Sequence, residues 1–489
     1  MNDLAEKALQ GLNVARRAVV GHPMLTFAAL GFAISSVVVL AGGRVNAGRA
    51  TRPLSSWLGL QDSHGAQSAD WSVGAIMLAA VAALVMLWLG VVAFVRRRDQ
   101  PEGRVWWVAG AWSVPFVLGP PLMGTSVQTY VAFGLLQRHG LSPYDFGPNR
   151  LGGDHIVAAI EPSMRGTPSA AGPLGSLIQH LAVTVAAGSA LGAILVLRAA
   201  ALIAAVVIGR LAAELGGAFR SRALTLTVLN PLLLLYIVSA ARLEGVMLAL
   251  TLAALITAGQ RRWLVSVAVI CLAGSVIGEA FVVLPAILAV HWLGRRTVPT
   301  WLLLGRDLLV AAVTTVAAGL VVPDGFGWMQ TVTKQFSAHT PFSVAGAIAK
   351  LLSPIVRGAS YDDLAAGARI TAVTAMVCLI AYLIGTARQR ALERTAGYAL
   401  LALGVLSPVL YPWYLLWGTI CLAASANGTR LVAVLALCAA GCVLTPPGFT
   451  PTTTNVITAV ALAVVAVVTI GMATLRRESR LRLSATAGT

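Results

Sequence analysis

The sequence predicts an all-α polytopic membrane protein, a bundle of about fourteen transmembrane helices whose polar residues gather in the loops between them. Three observations carry this expectation. Of 489 residues 58% are hydrophobic and only 11% are charged, against roughly a quarter charged in soluble chains. The apolar residues fall in long runs rather than in alternating patterns. The basic residues fall in short clusters between those runs, where they act as topology signals.

A helix crosses a bilayer in about 20 apolar residues. Runs of that kind cover 23–42, 71–95, 105–122, 190–212, 223–240, 300–322, 369–386 and 455–475. Shorter or interrupted runs cover 246–259, 263–277, 279–293, 395–410, 413–427 and 430–445. Residues 1–22 hold Lys7, Arg16 and Arg17 and no small-residue cleavage pattern follows, so the first run is expected to remain as a span.

Basic clusters stand at Arg16-Arg17, Arg96-Arg97-Arg98, Arg220 with Arg222, Arg261-Arg262, Arg295-Arg296, Arg388 to Arg394, and from Arg476-Arg477 onward. Placing all of them in the cytoplasm gives one self-consistent path through the cytoplasmic membrane. Both tails, 1–22 and 476–489, are then inside, and the loops 43–70, 120–189, 323–368 and 446–454 are outside. The segment 174–189, with Gln179 and His180 at its middle, is too short and polar for a span. It is expected to be a re-entrant or surface helix.

The surplus of 35 Lys and Arg over 18 Asp and Glu follows this topology, so the expected partner is membrane lipid and no nucleic acid is expected. All five cysteines lie in apolar stretches, which argues against a disulfide framework. The seven histidines have no metal-ligand spacing, so no metal site is assigned and the use of a divalent metal stays open. Gly-rich phosphate loops, HExxH and Cys-x-x-Cys are also missing from the sequence.

The most polar stretch is 120–173, which carries Asp145, Asp154, His155, Glu161 and Arg165. Ala241-Arg242-Leu243-Glu244-Gly245 interrupts one apolar run and Glu279 stands between Gly278 and Ala280 in another. Ionisable groups at membrane depth are costly and face a bundle interior or a cavity, where they are functional by default. The alternatives are a solvated turn for Arg242 and Glu244, and a carboxyl paired with a neighbouring helix for Glu279.

Such an outer-face site suits a lipid-linked sugar donor that enters sideways from the bilayer and a hydrophilic acceptor that arrives from outside. Transfer needs a carboxylate as general base on the acceptor hydroxyl and a cation opposite the leaving phosphate. Asp145, Asp154, Glu161, Glu244 and Glu279 are the candidate bases, and Arg150, Arg165 and Arg242 the candidate phosphate partners. Tyr144, Phe146, Phe326, Trp328 and Tyr411-Pro412-Trp413-Tyr414 supply aromatic faces on the same side. Aromatics serve there as interface anchors or against sugar rings.

An ordered series of short motifs resembles the polyprenyl-phosphate-mannose-dependent α-1,6-mannosyltransferases of the actinobacterial cell envelope, members of the GT-C superfamily. Pro120-Pro121-Leu122-Met123 through Tyr130 and Gly134 resembles the family's first long outer loop. Ser142-Pro143-Tyr144, Gly147-Pro148, Thr167-Pro168 and Gly172-Pro173-Leu174 follow in family order. Leu229-Asn230-Pro231-Leu232, Arg242-Leu243-Glu244, Gly327-Trp328 and Pro412-Trp413-Tyr414 continue the series.

The resemblance implies a GT-C-like bundle, a polyprenyl-phosphate sugar as donor, mannose as the sugar, and an envelope glycan or lipoglycan as acceptor. It adds Tyr130 to the binding residues beside Tyr144, Arg165, Arg242, Glu279, Trp413 and Tyr414. The departures are chemical. Ser126 stands where the family carries its catalytic Asp and Thr125 where it carries Arg; Arg242 replaces a His, Ile277 a Lys, and Ala171 a Tyr. A serine cannot accept the acceptor's proton without a base beside it, so Glu244, Asp145 or Glu161 must supply one. The rival expectation is a catalytically silent paralogue that binds lipid-linked glycan or scaffolds an active transferase. A transporter is disfavoured because the apolar segments show no inverted repeat.

Overall fold

The structure is a computed structural model that describes residues 22–50, 71–293, 300–337, 343–353, 355–356 and 360–443. These residues form helices and turns, with no strand among them. The span expected at 455–475 and the two tails, apart from His22, lie outside the described residues.

Helix α1 (Pro23–Ala50) packs on both α2 (Trp71–Arg97) and α3 (Glu102–Leu118). Helix α3 stops at Gly119, whose backbone is extended, because Pro120 and Pro121 have no N–H to continue it and disfavour helix in the residue before them. What the sequence suggests as loop 120–189 is partly helical. It holds α4 (Ser126–Arg138), α5 (His155–Ala158) and α6 (Pro173–Val185). Asp154 caps α5 by accepting from the Ile156 N–H at 3.0 Å. Helix α6 begins with Pro173 at its first position after Gly172, the placement that suits proline.

Helix α7 (Ala190–Leu215) starts at Ser189, whose hydroxyl accepts from the Gly192 N–H. The run expected as one span at 223–240 is broken in two. Helix α8 (Arg220–Thr227) and α9 (Pro231–Leu233) meet at a bend of 51°. Pro231 excludes the carbonyl of Thr227 from helical bonding, and Asn230 restarts the helix by accepting from the Leu232 N–H at 3.0 Å. Helix α9 continues as a π-helical turn, Leu234–Ser239, in which every residue is buried.

Helices α10 (Glu244–Gly259) and α11 (Trp263–Val276) form an antiparallel pair against α7 and α13 (Thr300–Leu320). Between them run a 3₁₀ turn, Gly278–Val283, and α12 (Leu284–Leu293). A buried clip joins α12 to α13: His291 Nδ1 faces Asp307 Oδ2 at 2.5 Å, and Trp292 and Arg306 donate to the same carboxylate. The segment 323–368, expected as an outer loop, contains α14 (Trp328–Ser337), α15 (Val344–Leu352) and the start of α16 (Tyr361–Gly385). Ser360 and Asp363 form a reciprocal cap that begins α16 eight residues before the apolar run at 369. Helices α17 (Leu392–Leu406), α18 (Tyr414–Ala423) and α19 (Thr429–Val443) complete the described chain.

Among the described residues, five helices are long and apolar enough to cross a membrane: Pro23–Gly43, Val73–Arg97, Ala190–Leu215, Trp301–Leu320 and Tyr361–Gly385. The bent pair α8 and α9 makes a sixth if it counts as one span. Fourteen full-length spans are thus not what the described residues contain, because breaks at Pro231 and Gly278 and turns at 260–262 leave helices of 10–17 residues, shorter than the hydrocarbon core. Ile370 is 66% exposed and Leu320 77%, an apolar surface that suits lipid rather than water.

Chain direction sorts the bundle's two ends. Arg96, Arg97, Arg220 and Arg222 share one end, where the Ser221 hydroxyl donates to the Gln100 carbonyl at 2.6 Å and Arg220 pairs with Glu102 at 2.5 Å. Gly119, Ser126, Ser239 and Glu244 lie at the other.

Candidate active site

Ser126 opens α4 after two residues with left-handed backbone, Met123 at φ 59° and Gly124 at φ 104°. Arg242 follows Ala241, another left-handed residue, at φ 50°. A non-glycine residue in that region stores about 1–3 kcal/mol and persists only where its surroundings impose it. These two strained turns bring together side chains 116 positions apart: Arg242 Nη2 donates to Ser126 Oγ at 2.6 Å. Arg242 Nη1 donates to Glu244 Oε1 at 3.3 Å.

Arg242 and Glu244 are each 5% exposed, which removes the solvated-turn alternative. Glu244 Oε2 is buried with no hydrogen-bond partner among the described residues. One carboxylate oxygen is therefore held by the guanidinium while the other keeps its lone pairs open.

The Arg242 guanidinium lies 3.2 Å from the centre of the Trp413 ring. Tyr411 stacks on the same ring at 4.4 Å with planes 9° apart, and Tyr236 of the π turn leans against it at 5.5 Å. Trp413 is thereby covered and buried, so it supports Arg242 and presents no open face. Tyr411 and Tyr414 are half-buried and keep part of their rings free.

Tyr130, one turn beyond Ser126 on α4, lies by the Leu243 backbone with Arg242 and Glu244 near it. Burial raises its phenol pKa, and the Glu244 charge adds to the rise. Tyr414 lies in the field of Glu279, Glu244 and Arg242, and Glu279 in that of Glu244. Glu161 closes the rim: its backbone N–H donates to Thr125 Oγ1 at 3.3 Å. Its charge acts on Tyr411, whose pKa is raised chiefly by burial, with Arg242 opposing and Glu161 adding to the rise.

The structure thus gathers Ser126, Tyr130, Glu161, Arg242, Glu244, Glu279, Trp413 and Tyr414 at one end of the bundle. Three sequence candidates stand apart. Asp145 is exposed on the turn after Pro143 and shares no hydrogen bond or ion pair with the group among the described residues. Tyr144 is buried against Gly327, with its hydroxyl toward Ser176, and burial pushes its pKa up to about 12. Arg165 spends its guanidinium on the Ile160 carbonyl at 2.8 Å and the Ala158 carbonyl at 3.1 Å, which folds the loop that carries Glu161.

Two side chains were not singled out from sequence. Tyr236 carries no local signal, but Arg198 does: it is a lone arginine inside the apolar run 190–208. No group of three or more His, Cys, Asp or Glu is placed to hold a metal ion among the described residues.

Comparison with known proteins adds a second, independent line. Residues 28–294 match the family model described as alpha-(1->6)-mannopyranosyltransferase, N-terminal domain, and residues 342–474 match the MptB C-terminal domain. Alpha-(1->6)-mannopyranosyltransferase A of Mycobacterium tuberculosis is 26% identical over 460 residues, 87% of each chain. A probable alpha-(1->6)-mannopyranosyltransferase of Mycolicibacterium smegmatis is 29% identical over 413 residues, 73% of this chain and 70% of its own. Alpha-(1->6)-mannopyranosyltransferase B of Corynebacterium glutamicum is 27% identical over 351 residues, 65% of this chain and 58% of its own.

Proposed function

This chain belongs to the alpha-(1->6)-mannopyranosyltransferase family, and from that premise we propose that it transfers mannose from a polyprenyl-phosphate donor to an envelope glycan or lipoglycan. The site would face the outside of the cytoplasmic membrane, with the arginine-rich end and both termini in the cytoplasm. The observation that carries the chemistry is Glu244: a buried carboxylate with one oxygen held by Arg242 and the other open, beside Ser126.

In this reading the acceptor hydroxyl attacks the anomeric carbon of the donor mannose. Its proton passes to Glu244 Oε2, the new glycosidic bond forms, and the bond from that carbon to the phosphate oxygen breaks. The displacement is direct and inverts the anomeric centre. Arg242 supplies a fixed positive charge for the leaving polyprenyl phosphate. The start of α4 helps, since no side chain caps it and its first amides point at an anion lying there. In this reading Glu161 and Glu279 would orient acceptor hydroxyls, and the half-buried rings of Tyr411 and Tyr414 would border the sugar.

Purified full-length chain, given radiolabelled polyprenyl-phosphate mannose with α-1,6-linked mannan, is expected to lengthen the mannan. Failure to bind or consume the donor, alone or with acceptor, removes the reading. A second reading has one specific observation in its favour: Arg242 is already engaged by Ser126, Glu244 and Trp413 at once, as in a site stabilised for binding alone. Under it the chain holds lipid-linked glycan without turning it over. Ser126→Asp separates the two, because transfer that appears only in that variant means a site that binds but lacks its base.

A further inference from the structure

Arg198 lies about two turns into the apolar helix α7 and is 2% exposed. A buried guanidinium in a membrane span is expensive and is kept where it has work to do. Its donors go to backbone carbonyls on two different segments. Nη1 donates to Val117 at 3.0 Å and to Gly119 at 2.6 Å, and Nη2 donates to Ser239 at 3.0 Å. The same two segments are tied a second time, since the Leu122 N–H donates to Ser239 Oγ at 3.3 Å.

What these segments lead into gives the clamp its meaning. Seven residues after Gly119 comes Ser126, through left-handed Met123 and Gly124; three residues after Ser239 comes Arg242, through left-handed Ala241. The two strained turns are held by bonds that cross between the segments: Leu122 to Ser239, Arg242 to Ser126, and the Arg198 fork. A planar fork that grips both fixes their separation, which arginine does better than lysine because its donors are pre-set in one plane.

We infer that Arg198 is a positioning residue: by joining the end of α3 to the end of the π turn, it holds Ser126 against Arg242. It touches neither donor nor acceptor and acts through the two turns. As far as catalysis is concerned the inference rests on the transferase reading above, but the clamp itself is a statement about geometry.

The test is a double-mutant cycle on the full-length chain in nanodiscs, read first as melting temperature and then as transfer. Ser126→Ala removes the hydroxyl that Arg242 grips. If Arg198 sets that contact, the melting shift from Ser126→Ala falls to less than about half in an Arg198→Met background, since coupled residues depart from additivity. Additive shifts overturn the inference, because a residue that only stabilises the bundle would leave the Ser126 contact unchanged. Should Arg198→Met fail to fold, Arg198→Lys takes its place in the cycle under the same criterion.

In the transfer assay Arg198→Lys is expected to lower kcat per folded molecule at least about tenfold with donor KM within about twofold, as for small misplacements of a reacting group. Loss of active protein with unchanged kcat per folded molecule overturns it. If the wild-type chain transfers no mannose, the functional reading falls and the melting cycle alone decides the clamp.

Discussion

Replacing Glu244 with glutamine keeps the side chain's shape and removes its charge. Arg242 and Glu244 stand 3.3 Å apart with both side chains buried, a gross attraction of about 5 kcal/mol at an effective dielectric near 20. Much of that is offset by desolvation of the two ions. The glutamine carbonyl still accepts from Arg242, while Ser126 and Trp413 hold the guanidinium as before. The expected loss of stability is therefore about 1–3 kcal/mol. Loss of the base is expected to slow transfer about 10²–10⁴-fold, or about 3–5 kcal/mol of barrier. Initial rates with polyprenyl-phosphate mannose, normalised to folded protein by melting curves on the same preparations, separate the two effects. A Glu244→Gln variant that keeps its rate within about threefold refutes Glu244 as the base, and a rate loss that only tracks unfolding refutes it equally.

Other perturbations probe the surroundings. Trp413→Leu removes the ring under Arg242 and is expected to cost about 2 kcal/mol or more of cation–π support; an unchanged melting temperature would contradict the stacking. Tyr144 keeps its proton to about pH 12 in the fold and to about pH 10 when unfolded. Between those values the unfolded state binds fewer protons, so stability falls by up to about 3 kcal/mol as pH rises. Tyr144→Phe should flatten that alkaline loss in pH-dependent melting. Gly175→Ala would set a Cβ 2.6 Å from the Val276 carbonyl oxygen and should destabilise by about 1–3 kcal/mol; a neutral result would mean that α6 does not dock there.

Much of the candidate site was legible in the sequence because charges stand out in an apolar chain. Arg242, Glu244 and Glu279 stand out as ionisable groups within apolar runs, and the family resemblance adds Ser126 to them as an expectation. That Ser126 and Arg242 touch was not legible, since it depends on two left-handed turns and a bent helix rather than on any local pattern. Asp145 and Arg165 show the converse error. Loop charges look alike in sequence, yet one is solvated and the other is consumed by loop carbonyls.

For the fold, apolar periodicity located the helices but misjudged their lengths. It treated 223–240 as one rod although Asn230-Pro231 carries its own break signal, a cap followed by a residue that cannot donate. Arg198 is a single charge in an otherwise uniform apolar run, and nothing in that run says what it binds. Its role appears only when the carbonyls it reaches are known.

The π turn at Leu234–Ser239 gives this part of the chain a reservoir of length. Such a turn takes up one residue more than an α-helical turn of about the same rise, so losing a single residue there would restore an ordinary helix and still deliver Ser239 and Arg242 to the same place. The three residues from Ser239 to Arg242 have no such slack, and a change of length among them would move Arg242 off Trp413 and away from Ser126. The buried turn is thus where the site best absorbs a change of chain length, and the short link after it is where it absorbs one least.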